Sequence, residues 1–170
     1  MEALIRDMAA NDIEAVQKVA DISWNDTYQG IIPREIQKRF LEAAYGIEMM
    51  NKRLETSSLF VVEVDGGIKG FANFSPVKAE GDIELGAIYL LPEIQGRGLG
   101  TRLLEKGIKS IAGIQQIFIN VEEENVKGIA FYQKKGFQQL SKFEDDLFGH
   151  RSLMLRMALK INSQHPGGKS

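Results

Sequence analysis

The chain has 170 residues and a mass of 19.0 kDa, the size of one domain. Hydrophobic residues make up 44% and charged residues 26%, a globular mixture that excludes wholesale disorder. Lys plus Arg number 21 against 23 Asp plus Glu, a formal charge of −2 rather than the basic balance of a dedicated nucleic-acid binder, and the absence of Cys excludes disulfides, thiolate metal sites and Cys nucleophiles. Arg6, Asp7, Asp12 and Glu14 occupy the region where an export signal carries an apolar run, and no stretch of about 18 apolar residues could span a membrane. A cytoplasmic protein without membrane or nucleic-acid partners is expected. His150 and His165 are too separate to suggest a metal site, so none is expected.

Leu4–Arg6 reads as a short first strand and Asp12–Trp24 as a helix, with Ile13, Val16, Val19, Ala20 and Ser23 on one face and Asn11 or Asp12 as cap. Ile31-Ile-Pro33 leads into a second helix with Ile36, Phe40 and Ala44 on one face, and Met49–Leu54 reads as a short helical continuation. Leu59–Val64, Asp65-Gly66-Gly67 and Ile68–Phe74 form a hairpin signal. Asp82–Leu91 reads as a strand closed by Pro92, Gly98–Ile111 as a helix and Ile117–Val121 as a strand. Asn125–Lys135 reads as a helix ended by Gly136. Phe137–Leu140 and Arg151–Lys160 complete the sheet. The order β-α-α-β-β-β-α-β-α-β-β implies an α/β (α+β) fold with a mixed, mostly antiparallel central sheet flanked by helices. One domain is expected over 1–160, and the small, polar residues 161–170 read as a flexible tail.

The segment that carries chemistry runs from Asp82 to Thr101, where a strand enters a glycine-rich turn that opens a helix. The first amides of a helix lack intrahelical partners and sit at the positive end of its dipole. Gly96, Gly98 and Gly100 let a ligand approach the backbone, and Arg97 and Arg102 add positive charge, so the turn suits a phosphate or pyrophosphate. Thr101-Arg102 fails the Walker pattern, which needs Lys then Ser or Thr after the last Gly. Gly96-Arg-Gly98-Leu-Gly100 is one residue short of the Rossmann pattern. A tight strand-to-helix connection without a ligand would use the same glycines.

Gln95-Gly-Arg-Gly98-Leu-Gly100 resembles the acyl-CoA-binding segment of the GNAT family, the Gcn5-related N-acetyltransferases. A second segment is similar too: Asn125, seven residues before Tyr132, with Gly136-Phe137 shortly after. The resemblance implies a GNAT fold, acetyl-CoA as cosubstrate and acetyl transfer to a primary amine. It implies that the backbone of Ile88, Tyr89 and Leu90 pairs with the pantetheine arm. The amides of Gln95, Gly96, Arg97, Gly98, Leu99, Gly100 and Thr101 would hold the pyrophosphate, Asn125 would bind the CoA arm, and Tyr132 would lie near the sulfur. A phenol of pKa ~10 can hydrogen-bond or protonate a leaving thiolate of pKa ~8.5. Without the resemblance, Tyr132 reads as a core aromatic beside Phe131.

The acceptor ammonium, of pKa ~10.4, needs a base. Glu84 lies four residues before Ile88, and a period of two places Glu84, Gly86, Ile88 and Leu90 on one face. Histone-type members of the family carry a Glu base at this spacing; the alternative is a solvated strand carboxylate. Ribosomal-protein N-terminal acetyltransferases of the family carry a Glu where this chain has Asn120, which counts against that substrate class. Glu122, Glu123 and Glu124 could compensate, although an acidic loop is usually a solvated one. Glu144-Asp-Asp146 forms a second acidic cluster.

Trp24, Asp26 and Tyr28 are the acceptor-side candidates, in a Trp-x-x-x-Tyr-x-Gly-x-x-Pro segment that looks like a loop of bacterial GNAT proteins, some related to polyamine acetyltransferases. Asp26 and the aromatic faces could meet a cation, or the two rings could simply pack the helix on the sheet. A small-molecule amine, polyamine-like or otherwise cationic, is the expected acceptor, with a peptide or protein amine and a non-catalytic acyl-CoA sensor as alternatives. The apolar run Leu153–Met157 suits either a core strand or a homodimer interface.

Overall fold

The computed structural model describes residues 2–161, so the expected tail lies outside them apart from Ile161. The strand β1 (Ala3–Asp7) leads to the helices α1 (Ile13–Tyr28), α2 (Arg34–Tyr45) and α3 (Ile47–Thr56). Next come β2 (Ser58–Val64), β3 (Gly67–Phe74), β4 (Asp82–Leu90), α4 (Leu99–Ser110) and β5 (Gln116–Glu122). The described residues end with α5 (Val126–Lys134), β6 (Gln138–Leu147) and β7 (His150–Lys160). The predicted order holds except that three helices, not two, separate β1 from β2. Gly46 makes the break between α2 and α3: a Cβ there would lie 2.8 Å from the Glu42 carbonyl. None of the helices among the described residues is long and apolar enough to cross a membrane.

One sheet runs β1-β2-β3-β4-β5-β7-β6, antiparallel everywhere except between β4 and β5. Strand alternation divides the core in two. Phe60 and Val62 on β2 join Phe74, Leu103, Ile117 and Met157 against α4, while Leu59 and Val61 face Val16, Trp24 and Met50 on the α1–α3 side. Asp12 does not cap α1 with its side chain. Its carboxylate instead takes two bonds from Arg6, 2.8 and 3.0 Å, and one from the Ala9 amide, 2.8 Å. Arg6 also holds Glu63 of β2 at 2.8 Å.

Two irregularities position the site. The first is a bulge in β4: Phe74 pairs with Leu85 and Asn73 with Ala87, leaving Gly86 unmatched. Leu85, Ile88 and Leu90 therefore contribute to the core beneath α4, whereas Ala87 and Tyr89 contribute to the core beneath α1. Glu84, beside Leu85, shares its face with Ala87 and Tyr89. The expectation that Glu84 shares a face with Ile88 and Leu90 is thus overturned, because an extra residue reverses a period-two pattern. The second is the short parallel ladder. β4 and β5 pair only over Asp82–Glu84 and Gln116–Phe118, and beyond it the edge of β4 facing β5 is unpaired.

The strand expected at Phe137–Leu140 is longer, and the acidic Glu144–Asp146 lies inside β6. Leu147 packs into the core under α1, and the Arg39 guanidinium of α2 lies 4.8 Å from the Phe148 ring centroid, so the β6–β7 tip leans on the helical side. Leu155 and Met157 are core residues, while Leu153 is 43% exposed.

Two predictions follow from the packing. A Cβ on Gly107 of α4 would run into the fully buried Phe74 ring. Gly107→Ala should therefore lower stability by about 1–3 kcal/mol in a denaturant titration, despite the better helix propensity of Ala; unchanged stability would mean that α4 slides freely on β3. Arg6 holds the Asp12 carboxyl below the ordinary carboxylate range, and burial opposes it less. A depressed carboxyl stabilises the fold above its unfolded pKa of ~3.9 and loses that contribution as pH falls through its folded value. Asp12→Asn should be less stable than wild type at neutral pH, with the two stability curves converging below about pH 3. Parallel curves down to acid unfolding would rule out this linkage.

Candidate active site

The glycine-rich turn follows a 3-10 turn at Pro92–Ile94. Gln95 ties the turn back to β4 by donating from its side-chain amide to the Leu90 carbonyl at 3.1 Å. Gly96 and Gly98 adopt φ of +77° and +79°, and a Cβ on either would meet no atom within 4 Å. Both the left-handed backbone and the open approach call for glycine here. Gly98 caps α4 without any side-chain bond, and no acidic residue stands in the first turn. Arg102 N–H already bonds to the Gly98 carbonyl, leaving the amides of Leu99, Gly100 and Thr101 as the helix's free donors. Gly100 is glycine for another reason, since a Cβ would lie 3.1 Å from the Phe131 ring of α5. Arg97 donates to the Glu93 carbonyl at 3.4 Å. An uncapped helix start, an open turn and the unpaired edge of β4 at Ile88–Leu90 fit the pyrophosphate and the amide-bearing arm of CoA.

Beyond the short ladder, side chains from both faces converge where β4 and β5 part. Asn125 caps α5 by accepting the Gly128 N–H at 3.0 Å, and a Cβ on Gly128 would lie 2.6 Å from the Asn125 amide nitrogen. That Asn125 amide also reaches the Tyr28 hydroxyl of α1. Trp24 donates its indole N–H to the Tyr89 hydroxyl at 2.9 Å and stacks on Phe40 at 4.2 Å. Tyr28 packs against Trp24 at 4.7 Å. Trp24 and Tyr28 are buried, so they do pack the helix on the sheet, and Tyr28 carries its hydroxyl to the parting of the strands. α1 runs one turn beyond the predicted end, which places the two rings on one face. Tyr132 enters from the α4–α5 side, with Phe131 at 5.5 Å and Phe137 at 5.3 Å. Burial, reinforced by Tyr89, pushes its phenol up, so the group stays protonated through the physiological range. Burial does the same to Tyr28 and Tyr89.

Two carboxylates differ sharply in their surroundings. Glu84 stands at the end of the ladder with both oxygens taken by Arg156 of β7, at 2.8 and 2.5 Å. Arg156 also donates to Asn120 at 3.1 Å and lies 4.6 Å from the Phe118 ring centroid. A carboxylate gripped in this way is not a free base. Glu122, by contrast, is only 7% exposed on the last position of β5. Ile117, Ile119 and Val121 face the α4 core, so Phe118, Asn120 and Glu122 point to the other side, toward Tyr28 and Tyr89. Burial raises the Glu122 carboxyl, and Asp145 and Glu124 raise it further. The Ser152 hydroxyl and His150 lower it, although Ser152 falls short of full hydrogen-bond geometry with any group. Read as part of an acidic loop, Glu122 was hidden; the period-two phase of Ile117-x-Ile119-x-Val121 is the signal that separates it from Glu123 and Glu124. Asp26 is the residue the structure removes from the group, exposed on α1 away from the buried Trp24 and Tyr28.

The sequence profile of the acetyltransferase (GNAT) family matches residues 16–137. The chain is 32% identical over 153 residues to the uncharacterized N-acetyltransferase YuaI of Bacillus subtilis (strain 168), covering 86% of this chain and 87% of that protein. It is 30% identical over 146 residues to the spermidine N(1)-acetyltransferase of Thermoplasma acidophilum, covering 81% of this chain and 89% of that enzyme. The crystal structure of the PaiA N-acetyltransferase from Thermoplasma acidophilum in complex with coenzyme A aligns at a TM-score of 0.81 and 25% identity, covering 95% of this chain and all of that one. The shared profile, the fold and the open turn at Gly96–Gly98 together make this chain a member of the GNAT family of acetyltransferases, which draw the acetyl group from acetyl-CoA.

Proposed function

We propose that the protein acetylates a primary amine of a small, multiply cationic molecule of the polyamine type. The observation that carries this reading is the charge at the mouth where β4 and β5 part, around Glu122 at the end of β5 and beside the β6–β7 hairpin. Glu124 and Asp145 stand within electrostatic range of Glu122 there, opposed by His150. Such a mouth suits an extended cation with more than one ammonium. The similarity to a spermidine acetyltransferase supports the same substrate class.

In this reading the amides of Leu99–Thr101 and the backbone at Gly96 and Gly98 hold the pyrophosphate, and β4 receives the pantetheine arm along Ile88, Tyr89 and Leu90. Asn125 borders that arm with its remaining amide hydrogen-bonding capacity. Tyr132 donates its proton to the departing sulfur. Glu84, gripped by Arg156, is a positioning residue that fixes where β4 and β5 part. The absence of Cys leaves direct transfer, without an acyl-thiol on the enzyme.

The test is CoA release measured with a thiol reagent across polyamines, monoamines, amino acids and N-terminal peptides; every thiol detected comes from CoA, since the protein has none. Polyamines should stimulate release most. A preference for peptide amines would overturn the substrate class, and binding of acetyl-CoA without release for any amine would favour a sensor. Tyr132→Phe should lower kcat by about 10²-fold or more while leaving acetyl-CoA binding unchanged. An unaltered kcat would remove the acid role.

A further inference from the structure

We propose that Glu122 takes the proton from the acceptor ammonium, an assignment that rests on the amine-acetyltransferase reading above. Its position argues for this first. It ends β5 beyond the last β4–β5 pair, on the face that looks toward Tyr28 and Tyr89. Tyr132 comes from the opposite side, and the gap between the strands brings its hydroxyl within electrostatic reach of Tyr28 and Tyr89. An amine entering beside Glu122 and a thioester lying against Tyr132 would meet in that gap.

Its state argues next. Glu84 is held by Arg156, Glu123 by Lys142 at 2.6 Å, and Glu144 faces Arg151 at 3.8 Å. Glu124 and Asp145 are exposed. Among the described carboxylates around the mouth, Glu122 alone is buried without a cation in contact. A buried carboxylate with so little compensation is costly to keep, and that cost has a use here. The groups facing it are Tyr28 of α1, Tyr89 of β4, Glu124 of the following turn, Asp145 of β6, and His150 and Ser152 of β7. Burial, Asp145 and Glu124 outweigh Ser152 and His150 and leave the carboxyl above its ordinary value, which makes it a better proton acceptor for an ammonium of pKa ~10.4.

The step balances as follows. Glu122 accepts one proton from the ammonium and later passes it to solvent. The neutral nitrogen attacks the thioester carbonyl; the C–N bond forms, the C–S bond breaks, and its electron pair leaves on sulfur. Sulfur takes the Tyr132 proton, and the surplus proton on nitrogen restores the phenol. The products are the amide, CoA thiol and one proton. Glu124 and Asp145 remain charged beside a second ammonium of the acceptor.

The experiment compares the pH dependence of kcat/KM for wild type, Glu122→Gln, Glu122→Asp and Glu84→Gln, using spermidine or whichever amine the wild type acetylates fastest. The wild type should lose activity as pH falls through a carboxyl raised above ~4.3, because the protonated base cannot accept. Glu122→Gln should lower kcat/KM about 10²- to 10⁴-fold, lose that acidic limb and still bind CoA. Glu122→Asp should restore the limb in part, and Glu84→Gln should keep it. As a readout independent of turnover, carbon-13 carboxyl NMR of Glu-labelled protein should show one resonance titrating above the ordinary range in wild type and missing in Glu122→Gln. An unchanged acidic limb in Glu122→Gln, or its loss in Glu84→Gln alone, would overturn the assignment, as would the absence of such a resonance. A best amine that is not a polyamine would overturn the substrate class, and the same profiles would still judge Glu122.

Discussion

The site depends on a parallel ladder that stops after three residue pairs. β4 and β5 are joined over Asp82–Glu84 and Gln116–Phe118 and then separate, although β4 continues to Leu90 and β5 to Glu122. The stopping point is fastened across three strands, with Arg156 of β7 binding Glu84 on β4, touching Asn120 on β5 and covering Phe118. Partly exposed ion pairs add little net stability. What this one supplies is registry: a bidentate guanidinium fixes the angle at which the strands part. The candidate site is arranged around the resulting gap, with the open edge of β4 on one side, Glu122 on the other, and tyrosines from α1, β4 and α5 converging on it.

The gap has to be reached from both faces of the sheet, and the bulge at Gly86 achieves that. Without the extra residue, Glu84 would point to the same side as Ile88 and Leu90, and the carboxylate would lie under α4 with the apolar core. With it, Glu84 and Tyr89 face the helices that carry Trp24 and Tyr28, while Ile88 and Leu90 remain in the other core. Under the proposed function, this one-residue change of phase separates the donor side of the reaction from the acceptor side.

Neither irregularity is legible in the local sequence. The order of strands, the mixed sheet and the glycine-rich turn followed from local chemistry: period-two apolar runs, Asp-Gly-Gly, Pro92, and glycines placed before a helix. Met49–Leu54, expected as a continuation of the second helix, is a separate helix because Gly46 sits in extended backbone between α2 and α3 and breaks one amphipathic run into two. The Glu84 face was misread because a bulge leaves no local signature beyond one glycine in a strand. Asp26 was grouped with Trp24 and Tyr28 because the segment was read as a loop; once α1 extends to Tyr28, residues two apart on a helix point to different sides. Gly96, Gly98, Gly100 and Gly107 look alike as letters, yet the first two satisfy left-handed backbone in open space and the others admit Phe131 and Phe74.

Glu122 shows why contact chemistry and burial have to be read together. In the string Glu122-Glu123-Glu124 the three carboxylates are chemically identical. The strand's phase turns the first inward, while Lys142 neutralises the second and solvent screens the third. A like-charged neighbourhood raises the carboxyl that burial has already raised, and it also attracts a cationic acceptor. The same few charges can thereby both draw in an ammonium and tune the group that must deprotonate it. Under the proposed function, a monocation leaves Glu124 and Asp145 without an ammonium of their own, whereas a molecule with two ammonium groups would place one at Glu122 and the other beside Glu124 and Asp145. Selection between them would then come from how many charges the acceptor can present to a mouth that holds three carboxylates against one histidine.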